Sequence, residues 1–167
     1  MKKRLQREVH TTERADKFLF PAIAIVSLCA LTISFWDFLV FQHSVYRFEL
    51  LNVIGIGLFG SGIIIYLAAR LTIGRFFSKR LNLIEEHKLV THGVYKYVRH
   101  PSYTGSILYF LGITLLLNSV LGFIVMLPLV ILILIRIPFE ERMLINAFGQ
   151  HYVEYVNRTK KLIPYVY

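Results

Sequence analysis

Residues 103–135 contain no Asp, Glu, Lys or Arg, an uninterrupted run of 33 uncharged and mostly apolar residues. As one helix it would be about 50 Å long, against a bilayer hydrocarbon core of about 30 Å. The run is therefore too long for a single crossing. The adjacent pair Asn118-Ser119 is its one polar break. The run is expected to fold back there as a tight helical hairpin of residues 103–117 and 120–137. Two further runs point the same way: residues 18–40 carry only Asp37 as a charge, and residues 50–69 carry none. A composition of 56% hydrophobic and 17% charged residues excludes a disordered chain and argues against a soluble domain. The expected fold class is all-α: an integral membrane protein with about four transmembrane helices. A single domain is expected. Residues 1–17 form a basic segment, 18–74 the first two helices, and 75–167 a loop, the hairpin and a C-terminal amphipathic helix.

The basic residues give an orientation. With four helices, eighteen of the nineteen Lys and Arg residues fall on one side, and Arg47 alone falls on the other. The positive-inside rule then puts both termini and the long second loop in the cytoplasm. The N-terminal stretch reads as a basic lead into a signal anchor, because no small-residue cleavage site stands out. The same asymmetry accounts for the net charge of +9 without a nucleic-acid partner. The single cysteine, Cys29, excludes a disulfide framework and reads as a small packing residue. Asp37 reads as interfacial. Gly57 and Ser61 lie four apart on the second helix and suit close helix packing. Pro128 is a candidate kink.

Two segments look like chemistry. The loop 87–105 packs three histidines, three tyrosines and a proline ahead of the hairpin. Pro101 suits the first turn of a helix. A helix start beside Arg99 and His100 makes an anion or carboxylate site. The same composition also fits an interfacial loop with Tyr and His at headgroup level. The second segment is Arg136-Ile137-Pro138-Phe139-Glu140-Glu141-Arg142. Ionisable groups at the edge of a membrane run are functional candidates, though Arg136 also fits a snorkelling cation paired with Glu140. Both segments fall on the same membrane face. The histidine spacings hold no i, i+4 pair, so no metal is expected. Residues 139–158 read as an amphipathic helix lying on the bilayer, weakened at Gly149.

The words Leu89-Val90, Gly93-Val94-Tyr95 and Arg99-His100-Pro101-Ser102-Tyr103-Thr104-Gly105 stand in order in the second half of the chain. After them come Arg136-x-Pro138-x-Glu140-Glu141-Arg142-x-Leu144, Phe148-Gly149-x-x-Tyr152-x-x-Tyr155 and Ile163-Pro164. They resemble the isoprenylcysteine carboxyl methyltransferase family and its prokaryotic relatives. The wider group includes phospholipid methyltransferases and the C-terminal part of the sterol reductases. The resemblance implies a membrane enzyme that binds S-adenosyl-L-methionine at the cytoplasmic face, with a lipophilic or lipidated acceptor reaching it from the bilayer. It implies that His87, Lys88, Leu89 and Val90 form one wall of the cofactor pocket. Tyr95 adds a ring, His100, Pro101, Ser102 and Tyr103 form the other side, Glu140 binds the cofactor, and Arg136 holds the acceptor. Where the family often carries Gln seven residues before the first-wall histidine, this chain has Arg80. The expected location is a prokaryotic inner membrane.

The expected reaction is carboxyl O-methylation of an isoprenylcysteine-like acceptor, with Arg136 and Glu140 as its key residues. Phospholipid N-methylation, an NADPH-dependent reduction of the sterol type and a non-catalytic membrane subunit are the alternatives.

Overall fold

The computed structural model describes residues 2–42, 47–74 and 89–164. Among them the chain is helical: α1 is Lys2–Asp37, α2 Leu50–Ile73, α3 Pro101–Leu116, α4 Val120–Phe148 and α5 Gln150–Arg158. A π-helical turn, Phe38–Gln42, extends α1, and a 3-10 turn, Gly93–Lys96, precedes α3. Three stretches are long and apolar enough to cross a membrane: Lys17–Phe41, Leu50–Ile73 and Val120–Phe148. Their outer surfaces stay apolar and exposed, as at Ile25 and Leu28 on α1, Ile64 and Leu71 on α2, and Ile131 on α4. That surface suits hydrocarbon rather than water, so the protein is an integral membrane protein.

Where four crossings are expected, three helices among the described residues are long and apolar enough to cross. α3 has 16 residues, about 24 Å, which falls short of the usual span. The connection between α3 and α4 is the three-residue turn expected at the polar pair, with Asn118 at a φ of 52°. The packing is not that of an isolated hairpin: α3 lies chiefly on α2, and α4 lies chiefly on α1.

Glycine makes the α2–α3 contact. Gly55 and Gly62 on α2 face Gly112 and Gly105 on α3. A Cβ on Gly55 would lie 2.6 Å from the Leu116 nitrogen, and one on Gly105 would lie 2.7 Å from the Gly62 oxygen. Without side chains the two backbones touch directly. The expected packing pair, Gly57 and Ser61, points elsewhere: a Cβ on Gly57 would meet no other part of the protein within 4 Å, and Ser61 is exposed. Cys29 is likewise exposed rather than packed.

Polar caps tie the turn end of the bundle together. Asn52 is fully buried, and its amide donates to the Leu115 and Leu116 carbonyls and to Asn118 Oδ1. Asp37 is only 4% exposed, buried within the protein at that end. Its Oδ2 accepts from the Ser119 hydroxyl at 2.7 Å and from the Leu121 amide at 3.3 Å, at the start of α4. Asp37→Leu should therefore strand the buried Ser119 hydroxyl and the partly buried Leu121 amide, with a stability loss of about 1–3 kcal/mol. Thermal unfolding in detergent should show a clear fall in midpoint, and an unchanged midpoint would refute the role of this cap.

α4 runs unbroken through Pro128 and Pro138 to Phe148. Its last ten residues thus belong to the crossing helix and not to the surface helix expected over 139–158. Gly149, at a φ of 56°, breaks the chain before α5. α5 is amphipathic, but its apolar side is turned inward: Tyr152 and Tyr155 are buried against the protein.

Candidate active site

Four chain segments meet at the end of the bundle opposite those caps: the start of α3, the late part of α4, the 3-10 turn, and residues 159–162. Pro101 occupies the first turn of α3 and gives up no amide hydrogen bond there. The amides of Tyr103 and Thr104 bond back to the His100 carbonyl, at 3.0 and 3.1 Å. This turn sets the His100 and Tyr103 rings side by side, with centroids 5.6 Å apart and 24° between their planes.

The two segments singled out in the sequence come together here. The Tyr103 hydroxyl donates to Glu140 Oε2 at 2.7 Å. His100 Nδ1 lies 4.0 Å from the same oxygen, and its Nε2 lies 3.4 Å from Glu141 Oε1. Arg136 is one helical turn before Glu140 on α4 and only 6% exposed. Its guanidinium carbon stands 6.0 Å from the Tyr103 ring centre and 5.2 Å from that of Phe20 on α1. Rings at these distances stabilise a cation held away from water. Phe20 is a site neighbour that the motifs could not reveal, because it comes from a helix outside them.

Tyr95 is buried, and burial pushes its hydroxyl up from the ordinary tyrosine range, with the Ser102 hydroxyl acting the other way. Its carbonyl accepts from the Tyr155 hydroxyl at 2.7 Å. Burial also pushes the Tyr155 hydroxyl up, which keeps it a donor. Leu89 and Val90 are half-buried at the start of the described loop. His87 and Lys88, and also Arg80, lie outside the described residues.

Arg99 does not serve as a free anion site. Its Nε donates to Glu141 Oε1 at 2.8 Å, and its Nη1 donates to the Val156 and Thr159 carbonyls. The segment after α5 closes the rear of the loop. Amides of Arg99 and His100 bond to the Lys160 and Lys161 carbonyls, at 2.8 and 3.0 Å, and the Thr104 hydroxyl reaches the Leu162 carbonyl. Ile163-Pro164 and the two tyrosines of α5 were the only sequence signals of this layer.

The arrangement offers stacked rings, one half-exposed carboxylate held by a phenol, and a buried guanidinium one turn away. Such a set can hold a cation beside an anion. A separate cavity of about 540 Å³ lies at the far end, between Arg47, Thr114, Asn118 and Phe123, and includes none of these residues.

Comparison with known proteins agrees with the motifs. The sequence pattern of the phospholipid methyltransferase family matches residues 50–151. Protein-S-isoprenylcysteine O-methyltransferase B of Arabidopsis thaliana is 38% identical over 108 residues, covering 63% of this chain and 55% of the relative. The corresponding enzyme of Saccharomyces cerevisiae is 33% identical over 154 residues, covering 87% of this chain and 62% of the relative. The solved structure of a eukaryotic intramembrane Ras methyltransferase, isoprenylcysteine carboxyl methyltransferase, superposes with a TM-score of 0.70 at 30% identity. It covers 87% of this chain and 53% of that one. The chain thus spans little more than half the length of these relatives. On the match to its pattern over residues 50–151, the chain belongs to the phospholipid methyltransferase family, and it groups there with the isoprenylcysteine carboxyl methyltransferases.

Proposed function

We propose that this chain is an integral-membrane enzyme that uses S-adenosylmethionine to methylate the carboxylate of a lipophilic, isoprenylcysteine-like acceptor. The observation that carries the proposal is the 2.7 Å hydrogen bond between Tyr103 and Glu140, with buried Arg136 one turn away. The relatives' name, O-methyltransferase, supports the same acceptor class.

When bound, S-adenosylmethionine supplies a methyl group on a cationic sulfonium, and transfer to a carboxylate oxygen yields an ester and a neutral thioether. The donor set here fits such a cation: the rings of His100 and Tyr103 lie beside the Glu140 carboxylate. Aromatic faces contribute about 0.5–2 kcal/mol each toward a cation. Leu89, Val90, Tyr95, Pro101 and Ser102 complete the wall among the described residues, and by resemblance His87 and Lys88 extend it. Arg136 presents a planar fork to an acceptor carboxylate and aims one oxygen. Such an acceptor is already ionised near neutral pH, so no general base is needed. The larger contribution is positioning, which for well-oriented reactants reaches about 7–11 kcal/mol.

In the same proposal α3 is a fourth, short crossing, shielded by α2. Both termini and the site face the cytoplasm, in keeping with the placement of the basic residues.

Purified protein in detergent should bind S-adenosylmethionine by calorimetry. It should transfer a labelled methyl to an S-prenylated cysteine but not to the corresponding amide. Label in phosphatidylethanolamine instead would move the assignment to N-methylation, and a folded protein that binds no cofactor would end it. Arg136→Ala should leave cofactor affinity within a few-fold and lower kcat/KM for the acceptor by about 100-fold, the loss of one partner of a desolvated charge pair. Turnover at the parent rate would remove Arg136 from the site.

A further inference from the structure

α4 carries two adjacent carboxylates at the site, and the surroundings treat them differently. The Glu140 side chain is 26% exposed and accepts from the Tyr103 hydroxyl. The Glu141 side chain is 15% exposed and bonds to Arg99, whose own side chain is 6% exposed. Arg99 is in turn held by the Val156 and Thr159 carbonyls and, through its amide, by the Lys160 carbonyl. The guanidinium is thus fixed by the chain end as much as by its counter-ion.

We propose that Arg99 is a positioning residue that gives the two carboxylates separate duties. It holds Glu141 against the end of α5 and leaves Glu140 as the carboxylate that meets the Tyr103 hydroxyl. This deepens the methyltransferase proposal above and rests on its assignment of Glu140. An isolated buried carboxylate is strongly unfavourable and seeks the nearest donors. Of the hydrogen-bond partners described for Glu141, His100 Nε2, already 3.4 Å away, is the one that remains without Arg99. Glu141 would then draw His100 out of its stack with Tyr103, and the Glu140 contact would be disturbed with it. Arg99 acts in this way without touching cofactor or acceptor.

Cofactor affinity, read by S-adenosylmethionine calorimetry on the full chain in detergent, tests this. Arg99→Met should weaken binding about tenfold, the loss of a charge-assisted contact carried to a neighbouring group. Arg99→Met with Glu141→Gln removes the stranded charge, so it should return affinity to within about threefold of the parent. A merely structural Arg99 would give no such recovery. Should Arg99→Met fail to fold, Arg99→Lys carries the test. It keeps the charge facing Glu141 but loses the fork to the carbonyls, and its affinity should stay within about threefold. Binding by the double variant as weak as by Arg99→Met, or a tenfold loss in Arg99→Lys, would overturn the proposal. Glu140→Gln is measured beside them. If it binds as well as the parent, the site assignment itself is wrong; if it binds weakly while the double variant does not recover, only the role of Arg99 is wrong.

Discussion

Glu140→Gln should fold normally and bind S-adenosylmethionine about 10–100-fold more weakly, the equivalent of about 1.5–3 kcal/mol for a hydrogen bond to a charged group. The fold should survive because Glu140 is partly exposed and its described partners are Tyr103 and His100, not the core. Affinity should fall because Gln keeps the shape and removes the negative charge that the Tyr103 hydroxyl holds beside the stacked rings. Tyr103→Phe, which deletes the donor and keeps the ring, should cost about tenfold or less, since the Glu140 charge stays beside the rings and only a neutral donor is lost. The double variant should lose less than the two effects combined, because the groups share one contact. Calorimetry on the three proteins decides the matter, and parent-like binding by Glu140→Gln would exclude it as a cofactor ligand.

That Glu140 and Tyr103 would meet was legible without coordinates. Once the apolar run folds at Asn118-Ser119, its two ends return to the same side, and charge placement puts both segments on one face. What was not legible depended on partners remote in sequence. Arg99 looked like an anion site because nothing in its own segment shows that Thr159 and Glu141 lie behind it. Phe20 carries no motif, yet its ring covers Arg136. The amphipathic pattern after residue 138 gave a face but not its partner: burial against the 3-10 turn and burial in a bilayer demand the same apolar side. Pro138 does not stop α4; a crossing helix with packed neighbours tolerates the missing donor.

The glycines teach the same lesson and yield the strongest structural prediction. Gly55 and Gly62 are seven apart, as are Gly105 and Gly112, and this shared spacing marks two facing stripes. Gly57 with Ser61 has the more familiar four-residue spacing and faces away. Gly112→Leu should prevent α2 and α3 from closing. Its Cβ would overlap the Phe59 amide and lie 2.7 Å from the Gly55 oxygen. Both obstacles are backbone and cannot rotate aside, so the cost should exceed the usual 1–3 kcal/mol, roughly, of overpacking by added methylenes. The variant should lose its folded peak in detergent gel filtration, and with it all cofactor binding, because α3 also carries Tyr103. Gly57→Leu adds the same side chain to the same bundle where nothing lies within 4 Å. It should fold as well as the parent or better, since a glycine inside a helix is worse than an ordinary residue by about 0.5–1 kcal/mol. Equal behaviour of the two variants would mean that α2 and α3 do not meet through these glycines.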